Sequence, residues 1–338
     1  MSATPVSPAA WSPEQWLEEM DRRIAAVLGP IARHADTSEW VMPARLAREQ
    51  PVPHWLLLPI WLEQEWGGSR RPAPPGWLAP VLWGQYALFL TIRIQDDLLD
   101  RQREDLRTVF LSDRFLLASL ESYQRLPALG DGFWELYRNC LNQTTEGILE
   151  VGRLERRLGG FTTDQLALHA RVCALFKIGS AALCYLYGRP AELRWISSLL
   201  DQLAIFSQIG DDLEDLDSDV AGGRYTWVAN TILGAGSESS PMDAEAHRLG
   251  VGLMRSERGD VIVQQLRVVA RAAVEAVPDT APAQVHQLIG SLPARCDQLE
   301  QALHEARVRQ VFGQFLPPES IDAPSDGTAS VSRLTANG

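Results

Sequence analysis

Two acidic clusters, each set in apolar sequence with a helical repeat, constrain this chain more than any other feature. The first is the run Asp96-Asp97-Leu98-Leu99-Asp100, which follows a mostly apolar stretch. In a helix, Asp96 and Asp100 share one face and are one turn apart, with Asp97 beside them. This spacing predicts a carboxylate pair at the end of a buried helix.

The second cluster runs from Asp211 to Asp219 and forms a longer row. Asp211, Asp215 and Asp219 recur at every fourth residue, so on a helix they span about 12 Å at 1.5 Å per residue. Like charges with this spacing destabilise a helix, which indicates a chemical role for the row. A solvated acidic face is the alternative, but the opposite side of the same helix carries an apolar stripe typical of a packed helix. The stripe consists of Leu199, Leu203, Phe206, Ile209, Leu213, Leu216 and Val220.

Carboxylate oxygens in clusters favour a hard cation. Mg²⁺ binds through a few carboxylates and keeps positions for water and substrate phosphate, so two such rows facing each other predict a diphosphate site. A calcium-binding EF-hand is a rival interpretation of the segment that starts at Asp215. That loop needs Gly at its sixth position and Glu at its twelfth, where this chain has Val220 and Thr226.

With these residues in place, the chain resembles the class I isoprenoid synthases, which comprise trans-prenyl diphosphate synthases and terpene cyclases. Asp96–Asp100 is similar to their first aspartate-rich motif, and Gln208–Asp215 to the second motif of the prenyl synthases. Asp219 also fits the terpene-cyclase spacing, and Phe176–Ser180 is similar to a Lys-Thr-Gly element. Gly223-Arg224 follows where related enzymes carry a basic residue. The resemblance covers residues 80–230 and implies an all-α helical bundle around a central cavity.

The resemblance also implies a metal-dependent mechanism and assigns residues to it. Three Mg²⁺ ions would bridge the substrate diphosphate to both aspartate motifs and promote departure of the diphosphate. The implied metal ligands are Asp96, Asp97, Asp100, Asp211, Asp212, Asp215 and Asp219, of which Asp96, Asp100, Asp211 and Asp215 are the catalytic set. The implied diphosphate ligands are Lys177, Arg224, Arg171 and Gln208, and a charge in the apolar stretch around Lys177 is itself costly unless it is paired.

The helix before the first motif predicts a wall of the substrate cavity. Ile92 and Phe89 lie one and two turns upstream of Asp96 on its face, with Tyr86 nearby. Aromatic faces stabilise carbocations through their quadrupoles. The alternative is that Phe89 and Tyr86 are ordinary core aromatics.

The region after the first motif separates two activities. A chain-elongating synthase binds isopentenyl diphosphate with an Arg pair nine and ten residues beyond the first Asp, where this chain has Asp105 and Leu106. Arg101, Arg103 and Arg107 lie nearby but out of register. The sequence therefore favours a Mg²⁺-dependent terpene cyclase that ionises an allylic prenyl diphosphate to a hydrocarbon or alcohol. The alternative is a prenyltransferase that couples an allylic diphosphate to isopentenyl diphosphate.

A third hypothesis is a non-catalytic subunit that regulates a partner prenyl synthase. Intact candidate metal ligands argue against it, since a subunit without activity has no need of them. The expected partner is an allylic prenyl diphosphate. A net charge of −12 argues against nucleic acid, and a homodimer is left open.

The composition, and the Pro, Gly and Ser clusters that separate the helical patterns, predict one all-α domain over residues 11–316. Residues 1–10 read as a flexible N-terminus and residues 317–338 as a disordered tail. Helices are expected near 12–28, 38–49, 78–104, 112–125, 131–156, 163–187, 190–220, 240–276 and 281–312, with Pro-flanked turns across 51–80. The four cysteines have no metal-ligand spacing, and no signal peptide or membrane-length apolar run is visible. These features predict a cytoplasmic protein.

Overall fold

The computed structural model describes residues 13–30, 53–67, 77–99, 108–126, 129–233 and 258–313. Every regular element in these ranges is helical, so the all-α prediction is confirmed for the described part of the chain. The predicted flexible N-terminus, the helix at 38–49 and the C-terminal tail lie outside the described residues. The described residues form two compact units, one within the ranges 1–142 and 174–197 and the other within 143–173 and 198–338.

The helices are numbered in chain order. They are α1 (Pro13–Leu28), α2 (His54–Gly67), α3 (Leu78–Leu99), α4 (Val109–Gln124), α5 (Asp131–Leu154), α6 (Ala167–Val172), α7 (Ile178–Leu186), α8 (Leu193–Glu214), α9 (Leu216–Ala221), α10 (Trp227–Leu233), α11 (Arg258–Ala276) and α12 (Ala283–Gly313). Short 3₁₀ turns occupy Thr163–Gln165, Ala174–Lys177 and Pro190–Glu192.

In the first unit, α3 packs along α4 and is fully buried over most of its length. The contact is close because residue 84 is glycine: a Cβ there would lie 2.6 Å from Cε2 of Tyr123. The Tyr123 hydroxyl donates to the Val81 carbonyl (3.3 Å), and the Ser122 hydroxyl donates to the Pro80 carbonyl (2.8 Å). These contacts fix the helix that carries the first aspartate motif.

Helix α2 corrects the expectation of turns across residues 51–80. Its buried residues include Leu56, Leu58, Leu62 and Trp66, and it packs on α3 and α7. Pro59 lies inside this helix. Burial of the apolar residues stabilises a helix that the proline alone would disfavour.

In the second unit, α11 packs against α12, and two arginines join their exposed edges. Arg267 of α11 contacts Asp297 (2.8 Å) and Glu300 (2.7 Å), and Arg307 of α12 contacts Asp260 (2.8 Å). Helix α10 packs on α11. The sequence did not predict α10, and it predicted single helices across 163–187 and 190–220 where the structure has breaks at Cys173 and Asp215.

Among the described residues, no single helix has the length and apolar composition needed to cross a membrane. The segments Thr163–Val172 and Ala174–Leu186 meet the length and composition test only when they are taken together.

Candidate functional site

The first aspartate motif lies at the C-terminal end of α3. Asp96 is exposed there. One residue earlier, the Gln95 amide donates to the Ser112 hydroxyl of α4 (3.0 Å), and the Thr91 hydroxyl donates to the Ala87 carbonyl (2.9 Å). The side chain of Asp97 and the whole of Asp100 lie outside the described residues, so Asp96 is the member of this motif that the structure places.

The second motif spans the junction of α8 and α9 in the second unit. Asp215 leaves the helical region (φ −93°, ψ 4°), yet its N–H donates to the Asp211 carbonyl (2.9 Å) and its carbonyl accepts from the Asp219 N–H (2.8 Å). The helical spacing of the row therefore continues through the break. Asp211 and Asp215 are exposed. The predicted apolar stripe is confirmed, because all its members are buried: Leu199, Leu203, Phe206, Ile209, Leu213, Leu216 and Val220.

Asp212 differs from its neighbours because it is buried, with 2% of its surface exposed. The Gln208 amide donates to its Oδ1 (2.8 Å), and its Oδ2 has no hydrogen-bond partner. Burial, together with the nearby charges of Glu155, Asp219 and Asp211, raises the pKa of Asp212 to about 8. The sequence grouped Asp212 with the metal ligands and Gln208 with the diphosphate ligands. The structure instead places these two side chains against each other.

Arg224 is positioned by the C-terminus of α9. Gly223 adopts φ +77°, its N–H donates to the Val220 carbonyl (3.0 Å), and the Arg224 N–H donates to the Asp219 carbonyl (2.8 Å). This is the Schellman pattern that ends a helix at a left-handed glycine. Its geometry brings the Arg224 guanidinium within 3.7 Å of the Asp219 carboxylate.

The same guanidinium contacts a buried acid that follows α5. An Arg224 nitrogen lies 3.4 Å from Oε2 of Glu155, whose side chain is only 8% exposed. The Glu155 carbonyl also accepts from the Tyr225 N–H (2.7 Å), so the backbone is tied at the same point. Arg224, which the sequence assigned to the diphosphate, thus lies between Glu155 and a predicted metal ligand, Asp219.

Arg171, another predicted diphosphate ligand, is paired with acids of α5. Its guanidinium is hydrogen-bonded to Glu146, and a second nitrogen lies 3.6 Å from Glu150. Gly147 makes the close approach of the two segments feasible, because a Cβ there would lie 2.8 Å from the backbone nitrogen of Val172. The structure therefore places Arg171 in an ion pair on the helix surface.

Lys177 lies in the first unit, where the Ala174–Lys177 turn passes into α7. It is half-buried and lies just before the first turn of α7. The side-chain amide of Gln85, on α3, binds the backbone before and after the lysine. Its Nε2 donates to the Leu175 carbonyl (3.1 Å), and its Oε1 accepts from the Gly179 N–H (2.6 Å).

An aromatic cluster lies beside this segment in the first unit. Trp55 stacks on Phe176 with ring centroids 4.6 Å apart and 7° between the planes, and it contacts Phe89 at 5.1 Å. Tyr86 contacts Phe89 at 5.8 Å. Of the predicted wall residues, Phe89 and Ile92 are half-buried, whereas Tyr86 is buried.

The described residues include no group of three or more His, Cys, Asp or Glu side chains already arranged around a metal position. The donor chemistry nonetheless fits Mg²⁺, because the aspartate row offers only oxygen atoms and two of its members are exposed. Mg²⁺ commonly takes one or two carboxylates and completes its shell with water and substrate phosphate. The second motif therefore suits a cation that arrives with a diphosphate.

Four residues at these positions were not predicted: Trp55, Gln85, Glu155 and Phe176. Nothing in the sequence indicated that Glu155 is buried, because an acid next to arginines at the end of a helix is usually exposed. Gln85 carried a weak one, since it is a polar residue within a long apolar run. A buried amide in such a run needs hydrogen-bond partners, which sequence alone does not identify.

No protein-family model and no curated protein matches this chain. Solved structures do match. The crystal structure of heptaprenyl diphosphate synthase from Staphylococcus aureus aligns over 84% of this chain and 98% of its own, with 11% identity and a TM-score of 0.61. Octaprenyl pyrophosphate synthase from Helicobacter pylori aligns over 83% of this chain and 99% of its own, with 12% identity and a TM-score of 0.61.

At these identities the likeness establishes the fold. The chain has the all-α isoprenoid synthase fold of the trans-prenyl diphosphate synthases, as the two aspartate motifs predicted.

Proposed function

We propose that this protein is a Mg²⁺-dependent enzyme that acts on an allylic prenyl diphosphate, and that it is a prenyltransferase. One observation carries the proposal: the chain matches two prenyl diphosphate synthases over nearly their whole length and has an aspartate motif in each of two helical segments. Both neighbours build long prenyl chains, as their names state. The likeness to these neighbours favours the prenyltransferase, which was the alternative in the sequence analysis, over the terpene cyclase, which was the first choice.

In this proposal each motif would contribute carboxylate ligands for Mg²⁺. Asp96 and Asp100 are the ligands from the first motif, and Asp211, Asp215 and Asp219 are those from the second. When bound, Mg²⁺ supplies positive charge that stabilises the diphosphate as the carbon–oxygen bond breaks. We leave Asp212 out of this set, since it is buried and receives a hydrogen bond from Gln208.

Lys177 is the proposed direct contact to the diphosphate. It lies at the start of α7, and the N-terminus of a helix favours an anion beside it. An anion bound there would be favoured both by the lysine charge and by the positive end of the helix dipole. In the second unit, Arg224 is ion-paired with Asp219 and Glu155 and so holds the Asp219 carboxylate in place.

The aromatic cluster of Trp55, Phe89 and Phe176 is the proposed contact for the hydrocarbon chain. The three side chains are half-buried, so part of the apolar surface of each ring is still accessible. Ring faces also stabilise an allylic cation after the diphosphate has left.

A terpene cyclase is the second candidate, and one observation favours it. Asp105 and Leu106 occupy the positions at which a coupling enzyme of this class carries two arginines. A second diphosphate would then lack charge-assisted hydrogen bonds from those positions. Both residues lie outside the described part of the chain.

The experiment that separates these activities uses purified protein, Mg²⁺ and geranyl, farnesyl or geranylgeranyl diphosphate, with and without isopentenyl diphosphate. The prenyltransferase proposal predicts a longer, water-soluble diphosphate that forms only when isopentenyl diphosphate is present. A hexane-extractable hydrocarbon or alcohol without isopentenyl diphosphate would establish the cyclase. No diphosphate release under any condition, combined with altered products from a partner synthase, would establish the regulatory subunit.

A further inference from the structure

An uncharged side chain, that of Gln85, binds both ends of the segment Leu175–Gly179, here called the lysine segment. Gln85 is completely buried on α3, and it is 90 and 94 residues away in sequence from the two groups it binds. Its amide donates to the carbonyl at one end of the segment and accepts from the N–H at the other end. Phe176 and Lys177 lie between these two hydrogen bonds.

The position of the clamp follows from the ends of the two short helices. The first N–H groups of α7 have no partner within the helix, and Gly179 is the second residue of α7. No side chain caps α7 from its own N-cap residue, Lys177. The Gln85 oxygen therefore satisfies a helix-terminal donor that the local sequence leaves unsatisfied.

Glycine at position 179 favours this close contact. A Cβ there would lie 3.0 Å from Oε1 of Gln85 and 3.2 Å from its Cβ. Both partners are fully buried, so the clamp has no room to relax. The pair Gln85 and Gly179 thus fixes how the backbone turns from the 3₁₀ turn into α7.

We propose that Gln85 is a positioning residue that sets the place of Lys177 for diphosphate binding and of Phe176 for its stack on Trp55. The proposal rests on the proposed function, because it assumes that Lys177 contacts the diphosphate. Gln85 forms its hydrogen bonds with the backbone of Leu175 and Gly179. Its role is to hold the turn on which the cation and one aromatic ring are carried.

The test begins with two variants that break the clamp from opposite sides, Gln85→Met and Gly179→Ala. Gln85→Met keeps the length of the side chain and removes both hydrogen bonds. Tyr123→Phe is the matched control, since it removes one buried hydrogen bond to the backbone of the same helix, α3. Hydrogen exchange of the lysine segment, followed by mass spectrometry, should be at least about tenfold faster in both clamp variants than in the native protein. In Tyr123→Phe the segment should exchange at the native rate. Unchanged exchange in Gln85→Met would overturn the proposal whatever the enzyme does.

The second measurement is a double-mutant cycle with Lys177→Met. The affinity for inorganic diphosphate in the presence of Mg²⁺ is measured calorimetrically for both single variants and the double variant. We expect Gln85→Met to weaken binding by about tenfold in the native background and by less than about twofold in the Lys177→Met background. Equal losses in both backgrounds would reduce Gln85 to a structural residue and overturn the proposal.

The cycle also separates failure of this proposal from failure of the proposed function. If the native protein binds diphosphate and Lys177→Met binds it equally well, the role of Lys177 is wrong, and the positioning role of Gln85 is overturned with it. If native protein releases diphosphate from a prenyl substrate while the cycle shows no coupling, the enzyme assignment stands and only Gln85 loses its role.

Discussion

The lysine segment and the aspartate segment (Asp211–Arg224) hold charged groups in opposite ways. In the lysine segment, an uncharged amide from Gln85 fixes the backbone on both sides of one cation. In the aspartate segment, charges are held by charges: Arg224 lies between Glu155 and Asp219. The first arrangement depends on hydrogen-bond geometry, and the second depends on the protonation of its acids.

This difference predicts how each segment responds to solution conditions. The side-chain amide of Gln85 does not titrate, so its hydrogen bonds do not depend on pH. The aspartate segment contains a buried carboxyl, Asp212, whose pKa is raised to about 8, so its charge changes within the physiological range. Perturbation of the lysine segment should therefore give pH-independent effects, whereas the second unit should carry most of the pH dependence.

The largest expected effect is on activity, from Asp211→Asn. Loss of a carboxylate that binds the metal should reduce turnover by about a hundredfold or more. The melting temperature should stay equal or rise slightly, because one like-charge repulsion in the row is relieved. Diphosphate release and circular dichroism on the same preparation measure both quantities.

Asp217→Asn is the control for this prediction. Asp217 lies on α9, between the predicted ligands in sequence but outside their row. We expect its turnover to stay within about twofold of the native value. Near-native activity in Asp211→Asn combined with Asp96→Asn would refute the diphosphate site altogether.

The next prediction concerns stability against pH in the second unit. His169 is buried, stacks on Phe161 (centroids 5.2 Å, 12°), and burial lowers its pKa to about 4. The unfolded chain binds a proton near pH 6.5 and the folded one only near pH 4, so stability falls as the pH falls between these values. This group alone should cost about 3 kcal/mol of unfolding free energy across that range.

His169→Phe keeps the stack and removes the titration, so its unfolding free energy in urea should rise relative to that of the native protein as the pH falls from about 6.5 to about 4. Asp212→Asn should remove a slope of the opposite sign, which overlaps that of His169 below about pH 6.5. Because the folded pKa of Asp212 is raised, the metal-free native protein loses stability as the pH rises from about 4 to about 8, and the variant should not. An unfolding free energy with the same pH profile in native protein and both variants would contradict the contrast between the two segments.

How far the sequence predicts this molecule depends on the range of the interactions involved. The apolar stripe opposite the aspartate row follows from local periodicity, and every member is buried as expected. Helix α2 was missed, because burial of its apolar residues outweighs the local signal of Pro59. The break at Asp215 was missed as well.

The same limit applies to the candidate site. The types and order of Asp96, Lys177 and Asp211 were readable from spacing, since their pattern resembles a known class. The contacts around them were not, because Gln85 binds the backbone of Gly179 and Glu155 pairs with Arg224 across large separations in sequence. Arg171 shows the same limit: its position in an apolar stretch predicted a ligand, and its ion pair with Glu146 could not be read from the sequence.

A smaller effect is expected from the ion pairs, and the chain supplies a matched comparison. Arg224 and Arg171 each have 37% of the side chain exposed, but their partners differ: Glu155 is 8% exposed and Glu146 is 64% exposed. Glu155→Gln should lower the unfolding free energy by about 1–2 kcal/mol, since it removes a charge partner at a buried position. Glu146→Gln should cost less than about 0.5 kcal/mol. Equal losses in chemical denaturation would show that burial does not distinguish the two pairs.

The smallest expected effect tests the backbone turn that places Arg224. Gly223 has φ +77°, and a Cβ there would meet nothing within 4 Å, so Gly223→Ala adds backbone strain without a clash. The expected loss is about 1 kcal/mol of unfolding free energy. Gly222→Ala is the adjacent control, because Gly222 has an ordinary helical conformation (φ −77°, ψ −4°) and should change stability by less than about 0.5 kcal/mol. A stability loss in Gly222→Ala that equals the one in Gly223→Ala would mean that the left-handed turn is not what holds Arg224 beside Asp219.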